Sequence, residues 1–178
     1  MNFEQVKTAT INSIQLFLDE KNLDLMVGEL NDDDYKILCR GYGELEWPWA
    51  ISSIGNDDHS VSFCFKITGG HIPEGIAMGL YDFESETLSI HMIESFVRGK
   101  ADHPLSGRMI YFTLVSAALF IAAFDGKFLN FVDPVNSDLE KLYISYGFSG
   151  PYISGAVMIQ SISIDGLLES IADFSESD

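Results

Sequence analysis

The sequence predicts an α/β fold with a mixed, mostly antiparallel sheet and helices on both faces, and three observations carry that expectation. First, residues 60–68, 74–83 and 87–96 are consecutive runs of β-branched and apolar residues joined by short turn-forming links, the pattern of an antiparallel meander. Second, from Thr87 onward the pattern becomes strand, helix, strand, helix, which implies a parallel pair joined by a right-handed crossover. Third, residues 109–124 are apolar on nearly every side, as expected of a helix covered by a sheet on one face and by other elements on the rest.

Taken in order, residues 2–21 place Phe3, Val6, Thr10, Ile14, Phe17 and Leu18 along one stripe of an amphipathic helix. Residues 23–29 continue apolar without deciding between helix and strand. Residues 31–34 (Asn-Asp-Asp-Asp) read as a turn in which an Asp caps a short helix over 35–39. The stretch 41–49 is aromatic and irregular, and Trp47 and Trp49 around Pro48 either line a cleft or pack a loop onto the core. In 60–68, Val61, Phe63, Phe65 and Ile67 share a face opposite Cys64, and Gly69-Gly70 ends the strand. In 87–96, the residues Leu88, Ile90, Met92, Glu94 and Phe96 share a face at period two.

The loop 97–107 carries the breakers Gly99, Pro104 and Gly107, and the cations Arg98, Lys100 and Arg108 cluster there. Gly126 stops the apolar helix, 128–132 is a short strand ended by Asp133-Pro134, and Ser137 with Glu140 predicts a capping box for a helix through Tyr146. Residues 149–152 break the chain, 156–164 form a terminal strand, 166–174 a short helix, and the last four residues fray.

The 178 residues, 47% hydrophobic, suit one globular domain spanning 1–178 with an acidic tail over 165–178. A net charge of -17, from 27 acids against 10 bases, argues against a nucleic-acid groove or an anionic membrane surface as partner. It fits solvated acidic turns and tail, an amine-bearing substrate, a basic protein partner, or mimicry of a DNA surface. Cys39 and Cys64 form no zinc or disulfide framework, so a reducing cytoplasm is expected. The N-terminus lacks the basic and apolar regions of a secretory signal, and 109–124 is too short to span a bilayer comfortably. His59, His71, His91 and His103 show no helical pairing with a carboxylate, so no metal is expected, and no Gly-x-Ser-x-Gly motif occurs.

Asn136, Tyr143 seven positions on, and Gly147-Phe148, following an apolar strand, resemble the C-terminal motif of the GCN5-related N-acetyltransferases. The element order over 75–148 is similar to that family's as well. The resemblance implies acetyl-coenzyme A as cosubstrate and an amine acceptor. It implies that strand 87–96 splays from its neighbour and holds the pantetheine arm on the backbone of Ile93, Ser95 and Phe96. It also implies that the loop ending at Gly107 and Arg108, with Arg98 nearby, holds the pyrophosphate. Asn136 would contact the arm, and Tyr143 would donate a proton to the departing thiolate. The loop departs from the family pattern of Gln or Arg, two residues, Gly, one residue, Gly or Ala: Asp102 takes the first position and Leu105 that of the first glycine. A carboxylate there repels phosphate, and the neighbouring cations partly offset it.

Glu94 is a carboxylate in an apolar row near a strand end, where desolvation raises its pKa from about 4.3 toward neutrality and suits it as a base. The competing reading is a solvated strand-end carboxylate. For Tyr143, a phenol near about 10 donates to a thiol near about 8.5; the competing reading is a core tyrosine sharing a helix face with Leu139 and Gly147. Asn136 is also good turn chemistry before a capped helix. His91, three residues from Glu94, falls on the opposite face of a regular strand, so the two form no dyad and His91 reads as a sheet histidine. Beside the acetyltransferase stands a second class: a non-catalytic, acetyltransferase-like acidic binding protein of immunity, inhibitor or DNA-mimic type that engages a basic partner. A homodimer is left open.

Overall fold

The computed structural model describes residues 2–55 and 57–176. Seven strands form one sheet: β1 (Met26–Gly28), β2 (Ser60–Thr68), β3 (Gly75–Asp82), β4 (Thr87–Ser95), β5 (Phe128–Val132), β6 (Ser149–Ser154) and β7 (Val157–Ser163), in the order β1-β2-β3-β4-β5-β7-β6. β4 and β5 pair parallel, and the other neighbours in that order pair antiparallel. The helices are α1 (Phe3–Glu20), α2 (Asp32–Cys39), α3 (Trp47–Ser53), α4 (Met109–Ala123), α5 (Ser137–Ser145) and α6 (Ile164–Glu176). This is the mixed, mostly antiparallel α/β architecture expected.

The two faces are covered by different helices. On one, Val6, Ile14 and Leu18 of α1 and Phe112, Phe120 and Ile121 of α4 pack over Phe63, Phe65, Leu88 and Ile90. On the other, Leu38 of α2 and Trp47 and Ala50 of α3 cover Ile76, Met78 and Met92. Because both faces are apolar, the sheet interior is buried throughout its centre.

Several local expectations are corrected. Asn31, not an Asp, caps α2: its side chain accepts from the Asp34 N–H at 2.9 Å while Asp34 accepts from the Asn31 N–H at 2.8 Å. Asn136, not Ser137, caps α5, accepting from the Leu139 N–H at 2.9 Å; asparagine's short carbonyl reaches the orphan N–H groups of a first turn as well as a hydroxyl does. Residues 26–28 resolve as β1. Residues 149–154 form β6, a strand where a break was expected. The breakers Gly150 and Pro151 are tolerated there because β6 is the sheet's edge, whose outer N–H groups need no strand partner. α6 is longer than expected. Of the last four residues, expected to fray, 177 and 178 lie outside the described residues and Ser175 and Glu176 close α6.

The correction that matters most lies in β4. Its register with β3 runs Met78↔Met92 but Gly79↔Ile90, leaving His91 as an extra residue, a β-bulge. A Cβ on Gly79 would meet the Ser89 carbonyl oxygen at 2.3 Å, so this crossing needs glycine. The bulge divides the expected single row. Leu88 and Ile90 face α1 and α4, whereas Met92, with Phe96 packed beside it, faces α2 and α3.

Candidate active site

β4 and β5 pair from Thr87↔Phe128 to Ile90↔Phe131, then part, while β4 continues along β3 to Ser95. The Phe96 N–H donates to the Glu74 carbonyl at 2.8 Å. In an antiparallel ladder the bonded pairs alternate, so Glu94 and Met92 also aim their backbone groups at β3. Ile93 and Ser95 therefore aim theirs at the side that β5 has left. Ile93 lines the cleft of about 350 Å³ that opens there, beside Phe131, Tyr143 and Val135 from β5 and α5 and their connection, with Glu46 and Trp49 from the start of α3 opposite. Ile93 and Ser95 thus present free backbone groups toward the splay. Phe96 does not: its N–H is held by β3, and its ring stacks on Tyr42 with centroids 4.5 Å apart.

Glu94, expected as the base, is tied instead to the loop ahead of α3. It is 4% exposed and accepts three hydrogen bonds, from the Glu44 N–H at 2.7 Å, the Leu45 N–H at 3.1 Å and the Trp47 indole N–H at 2.8 Å. Its carboxylate is occupied in holding the 42–47 loop over the sheet, and it does not line the cleft. Gly43 lets that loop come close: at φ +90 its own Cβ would meet Glu94 Oε1 at 2.8 Å and the Phe96 ring at 2.5 Å. The two tryptophans divide between the readings offered for them. Trp47 is fully buried under this loop, and Trp49, 52% exposed, walls the cleft.

Tyr143 is a core tyrosine that also reaches the cleft. Its ring packs against Phe131 at 4.3 Å and Phe148 at 6.0 Å, and it also lines the cleft. Burial pushes its phenol up to about 12, with a smaller contribution from Tyr146. Asn136 spends its side-chain oxygen on the α5 cap. Arg98 is exposed and turned toward Glu44, with 3.5 Å between Nη1 and Oε2.

The loop before α4 ends with Gly107 at φ +71 and Arg108 at the N-cap, where no side chain caps the helix. No side chain therefore competes with an anion for the N–H groups of Met109 and Ile110. Leu105, at the position of the family's first glycine, turns its side chain into the core beside Gly75, so it presents no steric barrier. Its N–H is nonetheless taken by His103 Nδ1 at 3.1 Å. Gly107 and Arg108 border a second cavity of about 690 Å³, walled by Phe17 and Lys21 of α1 and its C-cap, Tyr111 of α4, Tyr146 and, from α6, Phe174. The Tyr146 and Phe174 rings lie 4.3 Å apart. These contributions from the two terminal helices were not legible in the motif.

His91 is the residue that sequence reasoning placed elsewhere. Because of the bulge it shares the α3 side of the sheet with Met92, where it lines the cleft with its ring 6.3 Å from that of Trp49. Burial holds its imidazole below the ordinary value of 6.5, and the Asp133 carboxylate offsets part of that. Among the described residues no group of three or more His, Cys, Asp or Glu is arranged to hold a metal ion, and no helix is long and apolar enough to cross a membrane.

The sequence matches no protein-family model and no curated relative. Solved structures do match. PaiA N-acetyltransferase from Thermoplasma acidophilum, solved with coenzyme A, is 10% identical over 78% of this chain and 98% of its own, with a TM-score of 0.54. A spermidine N-acetyltransferase chimera from Vibrio cholerae and hSSAT is 14% identical over 82% and 99%, with a TM-score of 0.56. A mutant AtaT toxin bound to the C-terminus of the antitoxin AtaR is 9% identical over 82% and 97%, with a TM-score of 0.51. The parting of β4 from β5, the bulge of β4 against β3 and these likenesses converge on one conclusion: the chain has the fold of the GCN5-related N-acetyltransferases.

Proposed function

We propose that this protein transfers an acetyl group from acetyl-coenzyme A to an amine, and that the reaction takes place in the cleft between β4 and β5. The observation that carries this reading is the splay itself. Past Ile90 the strand edge at Ile93 and Ser95 faces no neighbouring strand, and an amide-bearing chain such as pantetheine can pair with it as a short strand would. The residues fit the rest of the ligand as well. The uncapped start of α4, with Gly107 and Arg108, receives the diphosphate, and the aromatic cavity with Lys21 beside it suits a nucleotide.

Within the cleft, Tyr143 stays protonated at physiological pH because burial holds its phenol far above neutrality. A phenol at about 12 lies well above an ordinary thiol at about 8.5, so Tyr143 serves best as a hydrogen-bond donor that stabilises the departing thiolate. Asn136, whose side-chain oxygen caps α5, has its amide N–H groups left for the pantetheine arm. The acceptor enters past Trp49, where Glu46 and Asp133 favour a cationic amine, whether a small molecule or a lysine of a basic protein.

The test is acetyl transfer, followed as thiol release, to a panel of amines. Tyr143→Phe should lower turnover by about 10²-fold while acetyl-coenzyme A affinity is nearly unchanged, because the lost hydroxyl acts mainly in the transition state. Turnover equal to that of the unsubstituted protein would remove Tyr143 from the reaction.

A further inference from the structure

Acetyl transfer to an amine requires a group that takes a proton from the attacking nitrogen, and the fold leaves Glu94 unable to do so, since three N–H donors hold its carboxylate away from the cleft. Resting on the acetyltransferase reading above, we infer that His91 is the general base, delivered to the acceptor side of the cleft by the β4 bulge.

Three observations meet at this residue. Position 91 is the unpaired residue of the bulge, so it lies on the same side of the sheet as Met92 rather than opposite Glu94 as an unbroken alternation requires. It lines the same cleft as Tyr143, with its ring beside Trp49 on the wall where an acceptor enters. Its ring makes no hydrogen bond among the described residues, which leaves the unprotonated nitrogen available to a substrate. The charged and titratable groups lining the cleft around it are Glu46 ahead of α3, Asp133 at the end of β5 and Tyr143 of α5. Burial keeps the imidazole neutral at pH 7, the form that accepts a proton, while Asp133 stabilises the imidazolium that results.

The bound ammonium first gives one proton to solvent; the neutral amine nitrogen then bonds to the thioester carbonyl carbon and becomes positively charged. His91 removes one proton from that nitrogen, the C–S bond breaks, and the thiolate leaves under the Tyr143 hydrogen bond. Solvent then protonates the thiolate and relieves the imidazolium of its proton.

The experiment compares the pH dependence of acetyl transfer in the unsubstituted protein, His91→Asn and Asp133→Asn. The unsubstituted protein should lose kcat/KM as pH falls through an acid limb lying below 6.5, the direction in which burial moves His91. His91→Asn should lower kcat by about 10²- to 10⁴-fold, abolish that limb and leave acetyl-coenzyme A affinity unchanged. Asp133→Asn retains the oxygen that accepts from the Met158 N–H at 2.8 Å but removes the charge, so the limb should move to lower pH. A merely structural role for His91 would not move that limb. An unchanged limb in both variants overturns the assignment of His91 and leaves acetyl transfer standing. Absence of transfer in the unsubstituted protein overturns both.

Discussion

At the scale of single residues, the site depends on separating the groups that build it from those that react in it. Glu94 is a builder: one carboxylate satisfies two backbone N–H groups and an indole, and the wall carrying Glu46 and Trp49 hangs from it. Glu94→Gln replaces one accepting oxygen with a donor that faces other donors. It should lower stability by about 2–4 kcal/mol, read as a shift in the denaturant midpoint. Undiminished stability together with abolished turnover would instead return Glu94 to the chemistry. From sequence, an acid in an apolar strand row has the same appearance in either role, because the donors that settle it lie about fifty residues away in the chain. The place of Tyr143 on the cleft wall was legible because its motif fixes its spacing. That of His91 was not, because alternation counted from Glu94 sends it to the opposite face unless the bulge is known.

The bulge is the main feature at the scale of elements, and its silence in the sequence has a physical cause. Where only one face of a sheet is buried, a bulge appears as a slip in the apolar alternation. Here helices cover both faces, so apolar residues are acceptable on either side and Leu88, Ile90, Met92 and Phe96 keep an unbroken period across the slip. The strands of the meander, the crossover helix and the parallel pair were legible because each depends on local pattern and short links. β6 was obscured by Gly150 and Pro151, which an edge strand tolerates. α6 contributes more than an acidic tail: Leu167 is fully buried against the α1 and α4 core, and Phe174 walls the cavity beside Arg108. Leu167→Ala should therefore cost about 2–5 kcal/mol of stability, measured by denaturant unfolding. A loss under about 0.5 kcal/mol, the range of ordinary surface substitutions, would show that α6 is not part of the packed core.

Across the whole molecule, the proposed reaction requires a strongly acidic chain, with a net charge of -17, to bind a polyanionic cosubstrate. The fold meets this by position: Lys21 and Arg108 line the cavity at the α4 N-terminus, whereas Glu46 and Asp133 line the cleft on the acceptor side. One end of the site therefore suits phosphate and the other a cationic amine. The measurement that tests this most directly is calorimetric titration of the protein with acetyl-coenzyme A and, separately, coenzyme A, at low and moderate salt. The account predicts micromolar binding of both that weakens as salt screens the phosphate contacts. No detectable heat with either ligand at either salt concentration would contradict it, leaving an acetyltransferase scaffold without its cosubstrate.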